Sequence, residues 1–337
     1  MDKMGLDKME AVAPKAFTGV HLRGGATLTL AIATIVLAVI LAVAAPGFLS
    51  VYNLVNVLRQ ISLTSIMAVG FGVVAMTGGM DISMGNVAAL VGMFLAALVA
   101  YAHIDLPLAI ILALLLGVLI GAINGVLVAY LKVPSFIGTL AMFFIAQGVN
   151  FQTTDGFPIF EGLTPSLLFL GQGHLLGIPM PVVIAAIVFV AMHFFLQNTV
   201  YGQHIYAIGG NEESARVTGV DVGRVKVTAY VIAGLCAALT GIVITARLGT
   251  AQPAAAGMDF FLTAVTAAVL GGVSLSGGEG NMTGIAIGAL FLGILNNGLT
   301  LMHVSSYSQW TITGVLLIAS IIWNTVQRAK QGGGYGA

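Results

Sequence analysis

PLAIILALLLGVLIGAINGVLVAY, Pro107–Tyr130, decides the fold. The run carries no charge and a single amide, Asn124. Roughly 20 apolar residues in a helix span the hydrocarbon core of a bilayer, and this run is long enough. Similar apolar runs recur at about 27–45, 61–80, 83–101, 136–151, 181–198, 228–247, 259–276, 284–302 and 309–324, with 107–130 among them. Only helices and closed barrels satisfy their backbones in lipid, and a barrel would show short alternating segments instead. The sequence therefore reads as all-α: a polytopic membrane helical bundle of about ten transmembrane helices. Composition agrees, with 58% hydrophobic and 7% charged residues. Ordinary globular chains carry about 25% charge, so a soluble domain is excluded.

Working outward from the apolar runs, the charges are concentrated in one place. Between Gly24 and Asn198 the chain has only Arg59, Asp81, Asp105, Lys132, Asp155 and Glu161. Between Thr228 and Gln327 it has only Arg247, Asp259 and Glu279. The segment Tyr201–Val227 holds Glu212, Glu213, Arg216, Asp221, Arg224 and Lys226. A charged segment set between membrane-like runs is where such a protein meets a partner in water. Basic residues also orient the bundle. Lys3, Lys8, Lys15 and Arg23 precede the first run, Arg216, Arg224 and Lys226 sit in the charged segment, and Arg328 and Lys330 near the end. Ten spans put all of these on one side, joined by Lys132, and that side is expected to be cytoplasmic. Arg59 and Arg247 are exceptions at span ends. The expected organisation is a cytoplasmic tail over 1–26, a transmembrane domain over 27–326 and a cytoplasmic tail over 327–337. No cleavage site follows the first apolar run, which reads as a retained anchor. The 152–180 segment has no Lys or Arg and serves either as a docking surface on the far side or as a connector.

Several chemistries are set aside by the residues. A net charge of zero gives no footprint for nucleic acid. The single cysteine, Cys236, lies in an apolar run and reads as a small packing residue. Six scattered histidines lack metal-ligand spacing, and no nucleophile–base pair has a local signature. Leu275-Ser-Gly-Gly-Glu279 looks like the signature loop of ATP-binding-cassette ATPases, but no phosphate loop ending in Gly-Lys-Ser or Gly-Lys-Thr exists here. This chain is not expected to hydrolyse ATP.

Polar groups inside the apolar runs carry the functional reading. A charge at bilayer depth costs roughly 2.5–3.5 kcal/mol, so it faces a partner or a water-filled path. Asp81 is the sharpest case, because Gly78, Gly79 and Gly85 let the backbone unwind around it. Asp81, Asn124, Gln147, Asn150, Asn296 and Asn297 are candidates for a substrate path, since amides both donate and accept. Each amide has an alternative role in an interhelical hydrogen bond. Two echoes suggest an internal repeat: Gly78–Asn86 with Gly271–Glu279, and Gly121–Gly125 with Gly293–Gly298. On the expected spans one pair is antiparallel and the other parallel, so the two echoes conflict.

Four stretches carry a family likeness: Gly78-Gly-Met-Asp-Ile-Ser-Met-Gly85, Val133-Pro-Ser-Phe-Ile-Gly-Thr-Leu140, Tyr206-Ala-Ile-Gly-Gly-Asn-Glu-Glu-Ser-Ala-Arg-Val-Thr-Gly219, and Val269–Gly278 continuing to Leu295-Asn-Asn-Gly298. Over about residues 28–324 the chain resembles the integral-membrane permease subunit of bacterial ATP-binding-cassette importers for simple sugars, of the ribose, xylose and arabinose type. The resemblance implies a multi-pass protein of the bacterial inner membrane, a permease homodimer, a cytoplasmic ATPase subunit and a periplasmic sugar-binding protein. ATP and Mg would sit on the partner ATPase, with no cofactor on this chain. It also implies a cytoplasmic coupling loop, about 199–227, whose short helix docks on the ATPase through Glu212, Glu213, Ser214, Ala215, Arg216 and Gly219. In that reading Ala215 enters a groove of the ATPase, Glu213 and Arg216 pair at its rim, and Gly219 stops the helix. The rival is an ion-coupled secondary transporter of a small polar solute, with Asp81 and Glu279 as ion sites.

Overall fold

Backbone N–H and C=O groups in hydrocarbon must pair within their own segment, so each apolar run is driven into a helix. The computed structural model describes residues 24–332. Lys3, Lys8, Lys15, Arg23 and nearly all of the expected 1–26 tail lie outside the described residues, as do 333–337. Thirteen α-helices occur among the described residues: α1 Gly24–Ala44, α2 Val51–Met76, α3 Met84–Ala100, α4 Leu106–Ala129, α5 Ser135–Gln152, α6 Pro165–Gln172, α7 Met180–Asn198, α8 Val200–Gly210, α9 Glu212–Val217, α10 Val222–Leu248, α11 Met258–Leu270, α12 Met282–Leu301 and α13 Ser306–Gly332. A short hairpin, β1 His174–Leu175 with β2 Ile178–Pro179, follows α6. Each of the ten expected segments carries a helix. By length and composition six are long and apolar enough to cross a membrane: α1, α2, α4, α7, α10 and α12. The apolar helices α3 and α11 are shorter.

The boundaries differ from expectation for identifiable reasons. α2 begins at Val51, not 61, because Ser50 caps it by accepting from the Asn53 N–H at 3.3 Å. Its first turns carry Asn53, Asn56, Arg59 and Gln60, which hide a helix from an apolar count. α2 and α11 stop at Met76 and Leu270, earlier than the expected 80 and 276, because Gly-Gly pairs turn the chain. α13 runs on to Gly332, so the expected tail from 327 begins as helix.

α10 lies at the centre and packs on α4, α2 and α3. Its approach to α4 depends on small residues. A Cβ on Gly117 would lie 2.6 Å from the Gly234 carbonyl, and one on Gly121 would strike the Tyr230 carbonyl. Close backbone approach of this kind is how membrane helices gain packing without a hydrophobic drive between them. Cys236 is buried on α10 against Gly70 of α2, as a small packing residue. α1 and α7 are peripheral and turn Ile32, Val39, Val43, Ile187 and Val190 outward, as side chains that meet lipid do.

At one end of the bundle the 152–180 segment is tied down. Ile159 and Ala251 exchange backbone hydrogen bonds at 2.9 and 2.8 Å, and Gln172 donates to the Arg247 carbonyl at 3.1 Å. The opposite end carries α8, α9, the C-terminus of α2, the turn with Lys132, and the loop 271–281.

Candidate functional site

Gly78 adopts φ +77° after α2, and this positive φ ends the helix. The Gly78 N–H donates to the Ala75 carbonyl at 2.9 Å and the Gly79 N–H to the Val74 carbonyl at 3.3 Å, a Schellman stop. The chain then runs without regular structure to Ser83, the residue before α3. Asp81 sits in this break with 1% of its surface exposed. Its carboxylate accepts from the Ser83 N–H at 3.0 Å and the Ser83 hydroxyl at 2.6 Å. Asn124 of α4 donates to Ser83 Oγ at 2.9 Å and, at 3.4 Å, to each Asp81 oxygen. Met80 is held as well, its carbonyl accepting from the Tyr230 hydroxyl at 3.1 Å. Asp81, Ser83 and Asn124 line a narrow crevice with Gly121, Gly234 and Ala237, too tight for a water. Asn124 Oδ1 is buried there without a partner.

The structure thus brings Asp81 and Asn124 together and sets the other candidates apart. Asn150 on α5 donates to the Pro253 carbonyl at 2.6 Å, tying α5 to the 248–257 loop. Asn297 on α12 exchanges hydrogen bonds with Asn53 of α2, at 2.8 and 2.9 Å. Asn296 beside it keeps Oδ1 buried without a partner. Gln147 is half-buried on α5. Ser83 and Tyr230 were not singled out from the sequence. Ser83 carries a signal in its place two residues after an aspartate, where an Asx turn forms. Tyr230 carries none. Among the described residues, no three His, Cys, Asp or Glu side chains gather into a metal-binding group.

The charged segment folds into α8, α9 and the first turns of α10. Asn211 caps α9 by accepting from the Ser214 N–H at 2.8 Å. Glu212 accepts from Arg216 at 2.9 Å and from Lys226 of α10 at 2.6 Å. The Lys226 hydrogen bond holds the Glu212 carboxyl below the usual glutamate range, against partial burial. Gly219, at φ +90°, ends α9 as expected: its N–H donates to the Arg216 carbonyl at 3.0 Å and the Val220 N–H to the Ala215 carbonyl at 3.1 Å. One expectation is corrected. Ala215 is 5% exposed and packs into this chain's own core, so it cannot enter a partner's groove. The outward face of α9 is Glu213, Ser214, Arg216 and Val217, with Val217 79% exposed. A cleft of about 300 Å³ lies beside it, lined by Tyr130, Lys132, Arg216 and Asp221.

Leu275–Glu279, the stretch resembling an ATPase signature, forms part of the glycine-rich turn between α11 and α12 and touches α8. Comparison with known proteins gives the same assignment as the motifs. Residues 53–321 match the family model described as Branched-chain amino acid transport system / permease component. The chain is 44% identical to the ribose import permease protein RbsC of Escherichia coli (strain K12), over 86% of this chain and 91% of that one. It is 43% identical to RbsC of Bacillus subtilis (strain 168), over 85% and 89%. The D-allose transport system permease protein AlsC of Escherichia coli (strain K12) is 34% identical, over 87% and 89%. No solved structure matches. The permease has ATPase and binding-protein partners, and nucleotide chemistry is the work of the ATPase. The chain belongs to this permease family, as a multi-pass membrane subunit of a bacterial ATP-binding-cassette importer that is not itself an enzyme.

Proposed function

We propose that the chain forms the translocation path for a monosaccharide or related polyol, delivered by a periplasmic sugar-binding protein and driven by an ATPase docked on α9. The observation that carries the cargo is the identity of 44% over most of the chain to a ribose import permease. The family description names branched-chain amino acids, but the chemistry inside favours a sugar. A zwitterion needs a partner for its ammonium group. Among the described residues Asp81 is the one fully buried carboxylate, and it is occupied by Ser83 and Asn124. Asn296 keeps an unpartnered Oδ1, as Asn124 and Asn150 do beside their donor bonds, and this capacity suits hydroxyls, whereas Asn297 is taken at both ends by Asn53. In this reading ten helices cross the membrane, both termini are cytoplasmic, and two copies of the chain pair. Lys132, Arg216, Arg224 and Lys226 gather at the α9 end, which supports that end as the cytoplasmic one.

Purification in mild detergent from the native membrane, with mass spectrometry of co-purifying chains, tests the ATPase partner. An ATP-binding-cassette ATPase in comparable amount is expected, and Val217→Asp should lose it while the permease still inserts. Uptake of labelled D-ribose, competed with allose, xylose and leucine, tests the cargo. Competition by leucine alone would overturn the sugar assignment.

A further inference from the structure

The C-terminal end of α8 meets two other backbones with no side chain between them. A Cβ on Gly209 would strike the Met76 carbonyl oxygen and the Gly278 nitrogen. Gly277, at φ +86°, lies so close that its Cβ would sit 2.8 Å from Gly209 Cα and 2.9 Å from the Gly78 nitrogen. The Gly278 N–H donates to the Met76 carbonyl at 2.9 Å, so the 271–281 loop hangs from the last residue of α2. Tyr206, one turn back on α8, donates its hydroxyl to the Gly280 carbonyl at 2.9 Å. Past Met76 comes the Gly78 turn and then Asp81 with its network.

We propose that Gly209, Gly277 and Gly278 form the joint that carries displacement of α9 into the Asp81 loop; this rests on reading α9 as the face that meets the ATPase. Side chains absorb small displacements by changing rotamer, whereas backbone seated on backbone does not, and close-packed contacts pass strain on. α9 follows α8 through Asn211 alone, so movement of the docked helix reaches Gly209 directly. There it bears on Met76 and Gly278 together, at the ends of two loops that border the bundle core. Tyr206 is the positioning residue that keeps α8 seated on the 271–281 loop.

The test is the number of ATP molecules hydrolysed per sugar imported, measured for the whole permease–ATPase complex in proteoliposomes with binding protein and labelled D-ribose. In Gly209→Ala the ATPase is expected to remain bound and active while uptake falls about tenfold or more, as for a change in a conformational step distant from the chemistry. In Tyr206→Phe, which removes one hydroxyl, the ratio should rise about threefold by the same logic. A purely structural role would lower uptake and hydrolysis together and leave their ratio unmoved. A parental ratio in both variants overturns the joint, as does a parental ratio in Tyr206→Phe when Gly209→Ala fails to assemble. If the unmutated permease captures no ATPase, the assignment of α9 fails instead, and the two failures are told apart by the co-purified chains.

Discussion

The loops 77–83 and 271–281 start from one local design and end in different mechanics. Each follows a helix stopped by a Gly-Gly pair. Gly272 has φ +91° and donates to the Val269 carbonyl at 3.0 Å, and Val273 donates to the Ala268 carbonyl at 3.0 Å, repeating the bonds at Gly78 and Gly79. Each then closes a side-chain turn: Ser83 N–H to Asp81 at 3.0 Å in one, Ser276 N–H to Ser274 at 3.2 Å in the other. The first echo in the sequence is therefore matched at the side-chain turns, with the positive-φ glycine one residue later in the second loop. The second echo is not its continuation, since α3 and most of α4 separate Gly78 from Asn124, while Gly271 reaches Asn296 within α12. The loops diverge at the turn residue. An aspartate locked by Ser83 and Asn124 seals its loop into the bundle, whereas Ser274 leaves its loop free to receive α8 through Gly277 and Gly278.

Substituting the two turn residues should expose that divergence. Asp81→Ala strands the Ser83 N–H and the Ser83 hydroxyl, each worth about 1–3 kcal/mol when buried without a partner, while Asn124 keeps its bond to Ser83 Oγ. Relief from burying a carboxylate offsets part of this, leaving a net loss of about 3 kcal/mol. Ser274→Ala removes one turn bond and should cost about 1 kcal/mol or less. Thermal unfolding in detergent measures both, and equal midpoints would mean that the Asp81 network contributes nothing beyond its turn. Asn124→Ala comes next, at about 2 kcal/mol, because Ser83 and Asp81 lose a shared donor while the orphaned Oδ1 disappears with it. Gly78→Ala and Gly272→Ala should cost a similar amount, about 1 kcal/mol each, since both need positive φ. Neither added Cβ clashes: the nearest atom to Gly78 is the Ser276 carbonyl at 3.8 Å, and Gly272 has open space. Unequal midpoints would break the equivalence of the two turns.

How much of this the sequence disclosed depends on distance along the chain. The helices were legible because lipid forces an apolar run to pair internally, so Pro107–Tyr130 could form little else. The break at Gly78-Gly79 was legible because glycine takes positive φ without cost, whereas the apolar count ran on through Gly271-Gly272. Asp81 and Asn124 were each visible as polar groups in apolar runs, but their pairing spans 43 positions and leaves no local mark. The Asn53–Asn297 pair, 244 positions apart, turned a path candidate into a clasp between α2 and α12. Ala215 was misread because a six-residue helix with two apolar side chains, Ala215 and Val217, does not declare which one faces inward. The core took Ala215 and left Val217 outside.

The smallest expected effect separates the two loops from the helix that bears on one of them. α9 is held to α10 through Glu212 and Lys226, at 2.6 Å, so this pair fixes where α8 enters the 271–281 loop. Lys226 depresses the Glu212 pKa, and a carboxylate bound more tightly in the folded state stabilises it most when ionised. The contribution is therefore complete at neutral pH and above the ordinary glutamate value. It drains away as pH falls below that value and through the lowered one. Glu212 is 37% exposed, and solvent screening keeps the effect modest. Glu212→Gln retains the shape and removes the titration. The difference in thermal midpoint between parent and variant should be largest at neutral pH and close as the medium becomes acidic, while Asp81→Asn leaves that closing unchanged. A gap that stays constant with pH would mean that the Lys226 contact acts as packing, and that α9 is positioned by its buried Ala215 alone.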